Sequence, residues 1–187
     1  MIQVTIGGAT LELQTEPGLF APRAADPGTL AMLSLIPFAP DDKVLDLGCG
    51  YGLVGLVAAR HMAPSQVYML DNDPIAVETA RANAVRNGAP EISVLLSDGF
   101  ADLLEAGFSK IISHPPYHVD FSVPKHFIEK GFNRLKLGGT MWMVTKRLDW
   151  YRNKLGAIFG GCRVHEVDGY FVFEATKRQS QYAKPRR

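Results

Sequence analysis

The sequence predicts an α/β fold: a mostly parallel sheet that ends in an antiparallel C-terminal hairpin and is preceded by a small N-terminal β-hairpin. Three observations carry that expectation. Lys43 to Gly55, KVLDLGCGYGLVG, joins a short apolar run to alternate glycines and then to a helix-forming stretch from Leu53. Strand, glycine turn, helix is the opening unit of a nucleotide-binding α/β sheet. Three more short apolar runs follow, each ending in a polar cluster and leading into a helix-like stretch. The βα rhythm then breaks, because Cys162 to Val167 and Tyr170 to Ala175 are parted only by Asp168-Gly169, a hairpin dipeptide.

The elements can be taken in order. Ile2, Val4 and Ile6, then Leu11 and Leu13, alternate with polar residues around Gly7-Gly8 and predict the first hairpin. Pro17 to Arg23 is a loop broken by Pro and Gly. A short helix is expected from about Pro27 to Ile36, with Asp26 as its cap. After the glycine turn, Gln66 to Leu70 reads as the second strand of the sheet and ends in Asp71-Asn72-Asp73-Pro74. A helix from Pro74 to Asn87 should turn Ile75, Val77, Ala80 and Ala84 inward. Glu91 to Leu96 is the next strand, followed by a short helix near Leu103 and Leu104. Lys110 to Ser113 is cut off by His114-Pro115-Pro116-Tyr117. A basic helix from Val123 to Leu135, a Gly138-Gly139 turn, a strand from Thr140 to Thr145 and a helix from Trp150 to Phe159 complete the chain before its hairpin.

Composition narrows the function classes. The 187 residues are 47% hydrophobic, enough for one core. One domain is expected over 1–187: hairpin and cap to residue 40, core from 41 to 176, basic tail from 177 to 187. No apolar run reaches the ~18 residues of a membrane span, and the N-terminus alternates instead of forming a signal-peptide block. The two cysteines, Cys49 and Cys162, suggest neither a disulfide framework nor a metal site. These features point to the reducing cytoplasm. The net charge of +1 hides a split, with 5 Lys/Arg against 13 Asp/Glu in residues 1–108 and 15 against 6 thereafter. Such asymmetry fits a nucleic-acid partner, and fits equally a solvated basic helix face with an unstructured tail.

The glycine turn has two readings. Gly50-Tyr51-Gly52-Leu53-Val54-Gly55 matches the dinucleotide fingerprint, with Asp71 at a distance that suits a ribose. The acidic Asp46 ahead of Gly48, Cys49, Gly50 and Gly52 favours a different cofactor. Cys49 is expected to matter through its backbone. Asp71 and Asp98 each end a strand, where ligands of an open α/β sheet sit. Asp71 could accept both ribose hydroxyls, whereas Asp73 is the better helix cap for Pro74. Asp98, before Gly99, could accept from an adenine amine or simply shape a turn.

A strand ending in D-x-G-x-G-x-G resembles the first motif of class I, Rossmann-like S-adenosyl-L-methionine (SAM) methyltransferases. Ser113-His114-Pro115-Pro116-Tyr117-His118 resembles their [DNS]-P-P-[YFW] signature for methylation of a planar nitrogen. With Pro17-Gly18-Leu19-Phe20, Asp26-Pro27-Gly28-Thr29, Asp71-Asn72-Asp73-Pro74 and Ser97-Asp98-Gly99 in the same order, residues 13–177 look like the methyltransferase small-domain family. Its best-known members methylate guanine N2 of small-subunit ribosomal RNA.

The resemblance implies the following. SAM would pass Gly48, Gly50 and Gly52, with Asp46 supporting the turn. Asp71 would hold the ribose, and Asn72, Asp98 and Gly99 would border the adenine. His114 and the Pro115 carbonyl would orient the amine, Pro116 would stiffen the turn, and Tyr117 would stack on the base. His114 stands where the family has Asn or Asp, so it serves through an unprotonated nitrogen or else fills space. Lys125, Lys130, Arg134, Lys136, Lys146, Arg147, Arg152, Lys154 and the tail could meet RNA phosphates. The larger ribosomal RNA enzymes carry a second, non-catalytic domain upstream that this sequence is expected to lack. A protein glutamine methyltransferase, a SAM-binding module without turnover and a nicotinamide dehydrogenase are the other readings.

Overall fold

A computed structural model describes residues 1–115 and 120–183. The alternating N-terminus forms β1 (Ile2–Ile6) and β2 (Ala9–Leu13), paired antiparallel through Gly7-Gly8. Both glycines have positive φ, as a two-residue hairpin turn requires. Leu11 and Leu13 are buried. The fully buried Asn83 binds the end of this hairpin, donating to the Gln14 carbonyl and accepting the Gln14 N–H. It also donates to the carbonyl of Tyr51 in the glycine turn. One amide thus fastens the hairpin to the turn, which sequence reasoning did not single out.

Helix α1 (Pro27–Leu35) starts at Asp26, whose side chain accepts the Thr29 N–H at 2.9 Å. The remaining elements are β3 (Val44–Leu47), α2 (Leu53–Ala58), β4 (Val67–Asp71), α3 (Pro74–Arg86), β5 (Ser93–Leu96), β6 (Phe108–Ser113), α4 (Ser122–Arg134), β7 (Leu135–Thr145), α5 (Leu148–Phe159), β8 (Arg163–Val167) and β9 (Tyr170–Thr176). Seven strands make one sheet in the order β5-β4-β3-β6-β7-β9-β8. All neighbours through β7 are parallel, and β9 lies antiparallel between β7 and β8. Asp168 and Gly169 take positive φ at the β8–β9 turn. Strand order reverses between β3 and β6, so a crevice opens beyond their carboxyl ends.

Several expectations need correction. Ile75 is 52% exposed; Ala76 takes the inward position beside Val77 because Pro74 starts the helix one residue after its Asp73 cap. No helix forms at Leu103-Leu104: after a turn at Ala101-Asp102 the chain is irregular, with Leu103 buried and Leu104 exposed. Gly138-Gly139 bend the chain inside β7, where pairing jumps from Phe108↔Leu135 to Lys110↔Thr140. The tail is exposed from 178 to 182 yet tied to the domain at Lys177, Tyr182 and Ala183. Lys177 is buried and donates to the Leu135 carbonyl, the Tyr182 ring meets Phe132, and the Ala183 N–H donates to Ile158.

At the amino ends of the central strands β3 and β6, buried Asp42 meets Lys110 at 2.6 Å and Ser109 at 2.7 Å. That pair sits at the start of β6 and away from the glycine turn.

Candidate active site

A cavity of about 440 Å³ occupies the crevice. From the expected cofactor side it is lined by Asp46, Gly48, Cys49, Gly50, Asp71, Asn72, Asp98 and Gly99. His114 and Pro115 close it from β6. Gly52 does not line it: this residue starts α2 at φ 91° and packs against Met69 and Ala80. Its glycine is required by backbone conformation and close helix–strand packing, not by a ligand. Pro116, Tyr117 and His118 lie outside the described residues.

The turn is held by hydrogen bonds from three directions. Gly48 and Cys49 N–H groups both donate to the Leu70 carbonyl on β4. The Asp71 carboxylate accepts the Gly50 N–H at 2.8 Å and the Asp73 N–H at 3.0 Å, one on each oxygen. Asp46, only 2% exposed, accepts the Gly55 N–H at 2.9 Å in the first turn of α2. Burial pushes the Asp46 carboxyl up to about 7; the Gly55 bond opposes this and the nearby Asp71 charge adds to it. Burial likewise pushes the Cys49 thiol well up, with Asp46 and Asp71 adding to it. That thiol is a poor nucleophile, which agrees with a backbone role for Cys49.

The substrate side is built on His114. Its side chain is 6% exposed. Nδ1 lies 2.8 Å from Thr29 Oγ1 and 3.3 Å from Asp26 Oδ1, and the ring meets Phe20 edge-on at 5.0 Å. Burial pushes the imidazole down to about 4, against the opposing pull of Asp26. The ring is therefore neutral at physiological pH, whereas an unperturbed histidine would titrate near ~6.5. Residue-level reasoning treated Asp26 only as a helix cap and gave Thr29 no role. Phe127 was missed as well: it comes from the inner face of α4 and meets Gly48 and Gly99. No local sequence signal marks it, since it reads as one apolar residue in an amphipathic helix.

Much of the basic set is engaged within the chain. Lys154 pairs with Glu129, Arg152 with Asp149, and Arg134 donates to the carbonyls of Leu104 and Glu105. Lys146 and Arg147 leave the carboxyl end of β7 exposed, over the rings of Tyr170 and Phe121 respectively. Phe121 stacks in turn on Trp150 at 4.3 Å. Among the described residues no group of three or more His, Cys, Asp or Glu is placed to hold a metal ion, and no helix is long and apolar enough to cross a membrane.

Residues 10–174 match the family model "Methyltransferase small domain". The chain belongs to the methyltransferase small-domain family. It is 31% identical over 179 residues to the ribosomal RNA small subunit methyltransferase C of Pseudomonas putida (strain GB-1), covering 93% of this chain and 53% of that protein. Its fold is similar to that of the T. thermophilus 16S rRNA N2 G1207 methyltransferase (RsmC) in complex with AdoMet and guanosine. The TM-score is 0.86 at 30% identity, over 95% of this chain and 50% of that one. TrmN from Thermus thermophilus follows with a TM-score of 0.67 at 26% identity, over 80% of this chain and 48% of that one. The chain spans about half the length of the curated relatives it matches.

Proposed function

We propose that this chain is a single SAM-dependent methyltransferase domain that methylates an exocyclic amino nitrogen, guanine N2 of small-subunit ribosomal RNA. The observation that carries the reading is that the glycine turn and the His114-Pro115 strand end line one cavity. The relative with a similar fold that holds both AdoMet and guanosine supports the same pairing of ligands. A ribosomal RNA substrate also sets the cytoplasm as the place of action.

The residues present fit SAM. A Cβ added at Gly50 would meet nothing within 4 Å, so this backbone faces open cavity at a φ of 53° that suits glycine. Asp71 and Asp98 give the cavity an acidic wall for a cationic ligand. Asp71, already fixed by two backbone N–H groups, retains lone pairs for ribose hydroxyls. Asn72, Asp98 and Gly99 line the same cavity and would border the adenine, and Phe127 would offer it an apolar wall.

SAM supplies a methyl carbon already activated by its sulfonium charge. The protein's task is to aim a poor nucleophile, because an aromatic amine delocalises its lone pair into the ring. The neutral imidazole of His114 accepts one amine N–H, and the Pro115 carbonyl accepts the other. With both hydrogens held, the nitrogen lone pair would face the methyl group that bound SAM would offer, and the methylated amine would shed its extra proton to solvent. Positioning of this kind supplies most of the rate. Lys146 and Arg147, beyond β7, approach the phosphates of the RNA strand.

The test is labelled-methyl transfer from SAM to separated RNA and protein fractions, with calorimetry against SAM and NAD. Label in small-subunit RNA and heat with SAM alone support the proposal. Label in a protein glutamine, or binding of NAD in place of SAM, contradicts it.

A further inference from the structure

We infer that Phe20 is a binding residue for the target base, its ring held in the substrate half of the cavity so that the purine stacks on it. This rests on the reading of that half as a site for an RNA base. The contact is separate from the one that the family motif assigns to Tyr117, which lies outside the described residues.

Leu19 and Phe20 both line the cavity, but they divide the work of the loop. Leu19 is 7% exposed and anchors the segment in the core, whereas Phe20 is 46% exposed. Leaving a phenyl ring open forgoes apolar burial that the fold could have used. The ring meets that of His114 at 5.0 Å and 73°, which sets it at the β6 end of the cavity. An edge-on contact leaves at least one ring face uncovered by the imidazole. That face has the shape and polarisability that a planar base needs for stacking.

The backbone holds the ring there at a conformational cost. Ala21, the next residue, has φ 50°. A residue with a Cβ is disfavoured at positive φ and stays there only where its surroundings over-determine it. Asp168, at the same φ, belongs to a hairpin turn that calls for it. Ala21 belongs to no hairpin, and its surroundings explain how it is held. The Leu19 N–H donates to the Glu16 carbonyl at 3.2 Å. The Thr15 hydroxyl donates to the Pro22 carbonyl at 2.8 Å and closes the loop across Phe20. Ahead of the loop Gln14 is bonded to the buried Asn83, and after it Asp26 caps α1. Fixed at both ends and closed in the middle, the loop presents Phe20 without freezing out its motion again each time a base binds.

The test compares Phe20→Ala, Phe20→Leu and Phe20→Tyr in the full chain, at saturating SAM and with extracted small-subunit ribosomal RNA as substrate. Position 20 is exposed, so all three variants should keep the wild-type Tm within a few degrees. Phe20→Ala and Phe20→Leu should each lower kcat/KM for RNA by about 5- to 150-fold, the span of one base–aromatic contact. Phe20→Tyr keeps the ring and should stay within about 3-fold. Calorimetry should find SAM affinity held within about 2-fold in all three. A residue that only fills space would tolerate Leu, so the contrast between Leu and Tyr separates stacking from packing. Wild-type kcat/KM in Phe20→Leu, or a loss that comes with equally weakened SAM binding, would overturn this inference alone. A wild-type protein that transfers no methyl to RNA would overturn the RNA-base reading, and the stacking contact with it.

Discussion

One carboxylate oxygen of Asp71 accepts the Gly50 N–H at 2.8 Å, so the acidic end of β4 and the glycine turn after β3 form a single bonded unit. A residue expected to touch the ribose therefore also shapes the turn. Replacing Asp71 by Ala should weaken SAM binding by about 1.5–3 kcal/mol, the range for hydrogen bonds to a charged group. Calorimetry on the folded variant measures this, and an unchanged affinity would remove Asp71 from the cofactor site.

Gly50→Ala should separate backbone strain from cavity filling. Its φ of 53° costs an L-residue about 1–2 kcal/mol, and its new methyl would project into the cavity. Gly88, at φ 71° beyond α3 and facing open space, provides the control. Both Ala variants should lose a few degrees in Tm, but only Gly50→Ala should lose more than about tenfold in SAM affinity. Equal SAM affinity in the two would show that the cofactor does not pass Gly50.

The fold was legible where a local pattern had one physical meaning. The VLDL run, the Asp73-Pro74 cap and the Asp168-Gly169 turn each appear as read, because burial, capping and positive φ act on adjacent residues. The failures came where the deciding contact was distant. Ile75 looked inward by spacing, yet it is exposed, and Ala76 next to it is the residue that packs on the sheet side with Val77. Lys177 looked like tail, yet the Leu135 carbonyl and the Phe132 ring receive it. In the site, the glycines and strand-end acids were legible by residue type and position. Asn83, Thr29 and Phe127 were not, because their roles arise only when the topology brings α1, α3 and α4 to the crevice.

Asp46 should give the ligand-free protein a distinctive pH dependence. Folding raises its pKa from 3.8 to about 7. The native state therefore holds a proton that the unfolded chain gives up. Stability from this group is full below about pH 4 and is lost as pH rises through about 7. Asp46→Asn keeps an acceptor for the Gly55 N–H and does not titrate. The wild-type Tm should fall relative to this variant between about pH 4 and 7 and then level off; parallel curves would contradict the raised pKa.

For His114, burial changes the expected pH–rate profile. An exposed histidine would produce an acid fall near ~6.5, but a pKa of about 4 moves it out of the working range. At saturating SAM, wild type and His114→Asn should show the same flat profile between about pH 5.5 and 7.5. His114→Ala should lose about 10²–10³ in kcat, by analogy with removing one positioned polar contact to a transition state. An acid fall near 6.5 that disappears in His114→Asn would contradict the buried, neutral imidazole.

The most direct test of the central claim is the chemical identity of the product. Purified protein, SAM carrying a labelled methyl group and unmodified small-subunit ribosomal RNA should be incubated together, and the RNA digested to nucleosides. Label in N2-methylguanosine is the predicted result. Label in another nucleoside, or only in protein while SAM is bound, would contradict guanine N2 as the acceptor.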